Sequence, residues 1–154
     1  MFNTILVAVD ESEAAREAFE LACKLALEDH AALLLLNVID VSKLIAASGY
    51  DAPYPEETLD IMRTAGQQLL DERKAAAEKR GITATTTVGE GDAVDEILRV
   101  ANENDAGLVC IGTHGRQGLA RLFIGSVAEG VLRRSEVPVL TVRPSGQTAR
   151  KGTG

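Results

Sequence analysis

The sequence feature that most constrains the fold is a repeated alternation between short apolar runs and longer amphipathic segments. Five apolar runs begin at Thr4, Ala32, Ile82, Leu108 and Val137. Two of them, residues 32–39 and 108–111, are almost continuously apolar, which is typical of strands covered on both faces of a sheet. The alternation predicts one α/β domain with a five-stranded parallel sheet, right-handed crossovers and helices on both faces. Periodicity alone leaves the strand order open.

Four helices are predicted between these runs. Ser12 and Asp92 are the predicted N-caps of the first and third, because their side-chain oxygens can accept hydrogen bonds from exposed backbone N–H groups. The second helix is predicted over residues 56–79 and ends before Gly81. Its predicted apolar side consists of Leu59, Met62, Leu69, Arg73 and Ala76. The stretch between Asp40 and Pro55 is predicted to be irregular.

A glycine-spaced segment joins the fourth run to the last helix. Glycines occupy positions 112, 115, 118 and 125, and Ser126 follows the last of them. The apolar spacing that follows predicts a helix beginning near Gly125 or Ser126. A helix start attracts anions through its unpaired N–H groups and its dipole, and glycines let a phosphate approach the backbone. The pattern predicts a polyphosphate cradle. The alternative is a structural glycine loop in which Ser126 is only an N-cap.

The spacing of Gly112, Gly115 and Gly125-Ser126 matches the pattern G-x2-G-x9-G-(S/T) of the nucleotide-binding branch of the universal stress protein family. Residues 107–143 resemble that family almost throughout, and the resemblance extends to most of residues 2–143. It implies a Rossmann-like fold of the adenine nucleotide alpha-hydrolase type with strand order 3-2-1-4-5. Strands 1 and 4 then lie side by side, and their carboxyl ends form the expected ligand crevice.

The resemblance also implies a set of nucleotide-binding residues. The set is Asp10, Val38, Gly112, His114, Gly115, Arg116, Gly125, Ser126 and Val127. Asp10 corresponds to an acidic residue in the ATP site of relatives, and its structural alternative is to stabilise the start of the first helix. Val38 corresponds to a position that contacts adenine, and otherwise belongs to the core. His114 and Arg116 are expected near phosphate or ribose. No catalytic residue and no metal ligand is predicted.

The function that the resemblance implies is an ATP-binding universal stress protein. ATP is expected with Mg²⁺ held through the phosphates, in a cytoplasmic module that regulates or protects during stress. One alternative is a slow ATPase or phosphotransferase, although no base stands visibly beside the cradle, so at most slow hydrolysis or autophosphorylation is expected. The other is a dimeric interaction scaffold. The resemblance implies a homodimer through the last strand, Val137 to Val142, and an unidentified regulatory protein partner.

Composition bears on the remaining classes of function. A net charge of −7 and a pI near 4.9 argue against a nucleic-acid-binding surface. No apolar run is long enough for a membrane span and no signal peptide is visible. Cys23 and Cys110 lack metal-ligand spacing, so buried free thiols in a reducing cytosol are expected. Residues 1–143 are predicted to form the domain, and residues 144–154 a disordered tail.

Overall fold

Strands and helices alternate along the computed structural model, which describes residues 1–42, 55–113 and 125–145. In these ranges the elements are β1 (Thr4–Ala8), α1 (Glu13–Asp29), β2 (Ala32–Asp40), α2 (Glu56–Lys79), β3 (Ala84–Gly91), α3 (Ala93–Glu103), β4 (Leu108–Gly112), α4 (Ser126–Arg134) and β5 (Val139–Val142). The predicted Ser12 and Asp92 N-caps are both present.

The five strands form one parallel sheet with the order β3-β2-β1-β4-β5. This arrangement confirms the predicted fold class and strand order. β1 pairs with β2 on one side and with β4 on the other. Because the chain proceeds outward from β1 towards β2 and from β4 towards β5, the topological switch point lies between the carboxyl ends of β1 and β4.

Successive side chains of the strands point to opposite faces of the sheet, so the core has two parts. The first cluster lies against α1 and α2 and includes Ile5, Val7, Phe19, Leu33, Leu35 and Leu70. The second cluster lies against α3 and α4 and includes Leu6, Leu34, Leu36, Ile97, Val109 and Val131. Both cysteines are buried free thiols, as predicted. Burial raises the pKa of the Cys110 thiol to about 12.

The boundaries of two strands differ from the sequence prediction. β3 begins at Ala84 rather than Ile82, because the Ile82 N–H donates to the Ala77 carbonyl and still belongs to the end of α2. β5 begins at Val139 rather than Val137. Here the Val137 N–H donates to the Ser135 hydroxyl, 3.2 Å away, instead of to a strand.

The predicted apolar side of α2 is displaced by part of a helical turn. Its fully buried residues are Gly66, Leu70 and Ala77, while the predicted positions lie along their flanks with partial burial. Gly66 lies directly against β2, because a Cβ there would collide with the Asn37 side-chain oxygen. The sequence pattern did not reveal these buried positions because one of them is a glycine, which carries no apolar side chain.

The chain after β5 returns to α1. Pro144 is buried, and the Ser145 N–H donates to the Glu17 carboxylate over 2.7 Å. Residues 146–154 lie outside the described ranges. The division into a domain of residues 1–143 and a disordered tail therefore remains a prediction.

Candidate functional site

The turn between β1 and α1 is held by its own side chains. The Ser12 hydroxyl accepts a hydrogen bond from the Ala15 N–H over 3.1 Å, which caps α1. The Asp10 carboxylate accepts one from the Ser12 N–H over 2.7 Å. Asp10 therefore holds Ser12 in place with one of its carboxylate oxygens. This is the structural role at the start of α1 that was the alternative to nucleotide binding. The other Asp10 oxygen receives no hydrogen bond from the described residues.

Val9, the residue before this turn, is hydrogen-bonded to β2 through both its N–H and its carbonyl. The Val9 N–H donates to the Leu36 carbonyl over 2.8 Å, and the Asn37 side-chain amide donates to the Val9 carbonyl over 2.9 Å. Asp10 is thus held in place by a residue that sequence reasoning missed. The signal was present, because Asn37 is the one polar residue in the otherwise apolar run of residues 32–39.

Gly112 ends β4 directly against the first turn of α1. A Cβ at this position would lie 2.7 Å from the Ala14 carbonyl carbon, the Ala14 Cβ and the Ala15 nitrogen. The φ angle of Gly112 is not positive. Close packing rather than backbone conformation therefore requires this glycine. The same contact brings the Asp10 turn beside the end of β4, as the predicted crevice requires.

Thr113 connects the end of β4 to two other elements through its backbone. Its N–H donates to the Val142 carbonyl of β5 over 2.9 Å, and its carbonyl accepts a hydrogen bond from the Gly125 N–H. The residue is 3% exposed, and its hydroxyl has no hydrogen-bond partner within the described part of the chain. Sequence reasoning missed this residue, which differs from its neighbours only in being polar at the end of a buried strand.

Gly125 is the N-cap of α4 and offers no side chain to the exposed N–H groups of that helix. Its φ of −57° is accessible to any residue. Ser126 is the first helical residue and is exposed, so the alternative in which it serves as the N-cap is wrong. The predicted helix start is confirmed, and no side chain of the described residues caps it.

The other described helices of the carboxyl edge begin differently. At α3, the Asp92 carboxylate accepts a hydrogen bond from the Asp95 N–H over 3.0 Å, and the Asp40 carboxylate lies 3.4 Å from the Ala93 nitrogen. At α2, Pro55 provides no cap, but glutamates occupy the first turn and repel anions. Among the described helix starts, α4 combines free N–H groups with a first residue that carries no charge.

The predicted adenine-contacting residue lies on the same side of the sheet as α4. Val38 is half-buried at the end of β2, pairs in register with Gly89 and packs against the second cluster. Val127, in the first turn of α4, packs against the same cluster. The structure therefore places Val38, Gly112, Gly125, Ser126 and Val127 at the predicted edge. Three further predicted residues, His114, Gly115 and Arg116, lie outside the described ranges.

The nearby Arg63 is already engaged by carboxylates. Its guanidinium donates to Glu90, to Glu56 over 2.7 Å and to Asp60 over 2.8 Å. These hydrogen bonds raise the pKa of Arg63 above its usual range. A cation surrounded in this way is poorly placed to hold phosphate.

No cluster of three or more His, Cys, Asp or Glu side chains in the described residues could hold a metal ion. Within the same ranges, none of the helices has the length and apolar content to cross a membrane.

Comparison with known proteins gives a consistent family relationship. The model of the universal stress protein family matches residues 1–143. The universal stress protein YxiE of Bacillus subtilis is 34% identical over 148 residues, which span 93% of this chain and 100% of that protein. A solved structure from this family in Burkholderia pseudomallei is 32% identical and has a TM-score of 0.73, over 92% of this chain and 96% of that one.

A second solved structure is a universal stress protein in complex with cAMP. It has a TM-score of 0.69 and 23% identity, over 93% of this chain and 98% of that one. At this identity the comparison establishes the common fold.

Proposed function

The chain belongs to the universal stress protein family, and we propose that it binds an adenine nucleotide at the carboxyl edge of its sheet, between β1 and β4. The proposed form is ATP with Mg²⁺, and the proposed role is a cytoplasmic module that regulates or protects during stress. A relative of the same fold has been solved with cAMP, which supports the ligand class.

One observation carries this proposal, namely the open start of α4 beside the end of β4. The hydrogen bond from the Gly125 N–H to the Thr113 carbonyl joins the two ends of the glycine-spaced segment. The first N–H groups of α4 therefore lie next to the strand end on which ligands of open α/β sheets bind. No side chain in the described ranges caps α4, and the proposed anion would bind these groups.

The proposed residue roles follow from the positions of the side chains. Ser126 is exposed at the start of α4, where its hydroxyl can donate to a phosphate oxygen. Val38 and Val127 offer apolar surface to the base, and Asp10 holds the β1 turn and offers an oxygen to ribose. His114, Gly115 and Arg116 complete the proposed phosphate site. Mg²⁺ is commonly bound through the phosphates of a nucleotide, and we propose that it is held in this way here.

A binding module is preferred over an enzyme. Asp10 is the acidic residue proposed for this site, and one of its oxygens already accepts the Ser12 N–H. This carboxylate is therefore a weak candidate for activating water. Slow ATP hydrolysis or phosphoryl transfer remains the alternative.

An exposed sheet edge favours a homodimer as the second element of the proposal. β5 pairs only with β4 in the described sheet, so its other edge carries backbone groups available to a second strand. Pairing of two copies through residues 137–142 would cover this edge. Such a dimer could also present a surface to a regulatory protein.

Calorimetric titration of nucleotide-stripped protein with Mg-ATP, ADP and AMP tests the nucleotide proposal. We expect saturable binding by the wild type and none by Gly125→Arg, whose side chain would fill the cradle. The backbone of Gly125 accommodates arginine, so the variant should still fold. Gln68→Arg places the same side chain on an exposed part of α2 and should bind normally.

The opposing results are distinct. If the wild type fails to bind at millimolar nucleotide, the cradle is structural and the scaffold function is the better one. Phosphate release that disappears in Gly125→Arg would favour the enzyme. Sedimentation of the same samples reports the oligomeric state, and a monomer at all concentrations would contradict the homodimer.

A further inference from the structure

Thr113 stands out in the described part of the chain as the one polar residue in the buried core. Its hydroxyl is enclosed and has no hydrogen-bond partner there. A buried hydroxyl without a partner lowers the stability of a protein, because the hydrogen bonds that it made with water are not replaced. Valine has nearly the same shape without this cost, so the presence of threonine needs a reason.

The direction of the Thr113 side chain follows from the alternation along β4. Cys110 belongs to the first cluster and Ile111 to the second, and Gly112 again faces α1. The Thr113 N–H continues the ladder to β5 by donating to the Val142 carbonyl, so the alternation extends to this residue. Its side chain therefore lies on the side of the sheet that α3 and α4 cover.

Both backbone groups of Thr113 are already used. The N–H donates to the Val142 carbonyl of β5. The carbonyl accepts a hydrogen bond from the N–H of Gly125, which occupies the N-cap position of α4. The hydroxyl is the remaining polar group, and two hydrogen bonds fix the residue that carries it. It lies on the side of the sheet that α4 covers, and the carbonyl of the same residue is bonded to the N-cap residue of that helix.

We propose that the Thr113 hydroxyl donates a hydrogen bond to a phosphate oxygen of the bound nucleotide, an inference that rests on the proposed function. Phosphate oxygens only accept hydrogen bonds, and a hydroxyl can supply the donor. The partner that the hydroxyl lacks among the described residues then arrives with the ligand. Thr113 adds a side-chain donor to the backbone donors of α4. Without a ligand, its unpaired hydroxyl lowers the stability of the protein.

Three variants separate this role from a structural one. Thr113→Val removes the hydroxyl, and Thr113→Ser retains it. Thr85→Val makes the same change at an exposed position near the amino end of β3, away from the carboxyl edge of the sheet. Each is melted without nucleotide and titrated with Mg-ATP by calorimetry.

Thr113→Val should weaken Mg-ATP binding by roughly 10- to 100-fold, the range for a hydrogen bond to a charged group. Without nucleotide the same variant should melt about 2–4 °C higher, because the unpaired hydroxyl is gone. Thr113→Ser should bind within a few-fold of the wild type, and Thr85→Val should be unchanged in both measurements. This opposite movement of stability and affinity would not arise from loss of packing.

The contrary outcomes identify what has failed. If the wild type binds and Thr113→Val binds equally well, the inference is wrong and the proposed function stands. A lower melting temperature with unchanged affinity would mean that an internal water holds the hydroxyl. If Thr113→Ser binds as weakly as Thr113→Val, side-chain packing is responsible. If the wild type binds no nucleotide, the proposed function fails, and this role of Thr113 fails with it.

Discussion

The starts of α1 and α4 lie at the same edge of the sheet, on opposite sides of β4, and differ in how their N–H groups are used. α1 is capped by the Ser12 hydroxyl, and its first turn presses on Gly112. α4 begins at Gly125, without a side-chain cap. Within the described part of the chain, one helix start is capped by a side chain and the other is not. A positive helix end becomes a binding site only where the chain does not satisfy it.

The comparison also separates two glycines that belong to one sequence pattern. Gly112 is required by the backbone of α1, which occupies the space of its Cβ. Gly125 has a φ angle that other residues adopt readily. Its backbone conformation therefore does not require a glycine, and the proposed ligand gives one reason for the missing side chain. Substitution of the two glycines should give opposite patterns of stability and binding.

The largest expected effect is that of Gly112→Ala. We expect a loss of about 3 kcal/mol in the free energy of unfolding, because the new Cβ would collide with backbone atoms of Ala14 and Ala15 that move only if α1 moves. Urea denaturation measures this loss. Gly125→Ala is the matched control, with an expected cost of about 1 kcal/mol for a poorer N-cap. Equal losses in the two variants would contradict the distinction between a packed and an open glycine.

A second prediction concerns the closed side of β4, on which Cys110 faces the first cluster. Its thiol pKa rises from 9.0 to about 12 because of burial. Above pH 9 the thiol ionises in the unfolded chain but not in the folded one, so stability falls as the pH rises. Between pH 8 and pH 10 the ionisation of this thiol should lower the free energy of unfolding by about 1.4 kcal/mol.

Urea unfolding of the wild type and Cys110→Ala at both pH values isolates the contribution of the thiol. The difference between the two proteins should change in favour of the variant as the pH rises. A constant difference would show that water reaches this side of β4, and the contrast between the closed and open sides would weaken.

Most of the fold could be predicted from the sequence because its signals are local. Apolar runs indicated the strands, and single residues such as Ser12 and Asp92 indicated helix starts through hydrogen bonds within the first turn. The strand order came from family resemblance, since periodicity does not determine which strands are neighbours. Errors of two residues at Ile82 and Val137 arose where local backbone and hydroxyl hydrogen bonds, rather than side-chain pattern, decide the boundary.

The candidate site was predictable only in part because its geometry depends on contacts between distant segments. The role of Gly112 follows from the approach of α1, nearly a hundred residues earlier in the chain. Asn37 matters because β2 lies beside β1, and Thr113 because its hydroxyl is buried without a partner in the described structure. A sequence pattern identifies the residue types, but three-dimensional packing distinguishes structural residues from those available to a ligand.

The smallest expected effect compares the two serines at the contrasting helix starts. Ser12→Ala should lower the free energy of unfolding by about 1 kcal/mol, because the Ala15 N–H loses its side-chain partner. Ser126→Ala should change stability by less than about 0.5 kcal/mol, since that side chain is exposed and does not cap α4. Mg-ATP titration should give the reverse order, with weaker binding only in Ser126→Ala. Should Ser126→Ala cost as much stability as Ser12→Ala and leave binding unchanged, the start of α4 would be as closed as that of α1.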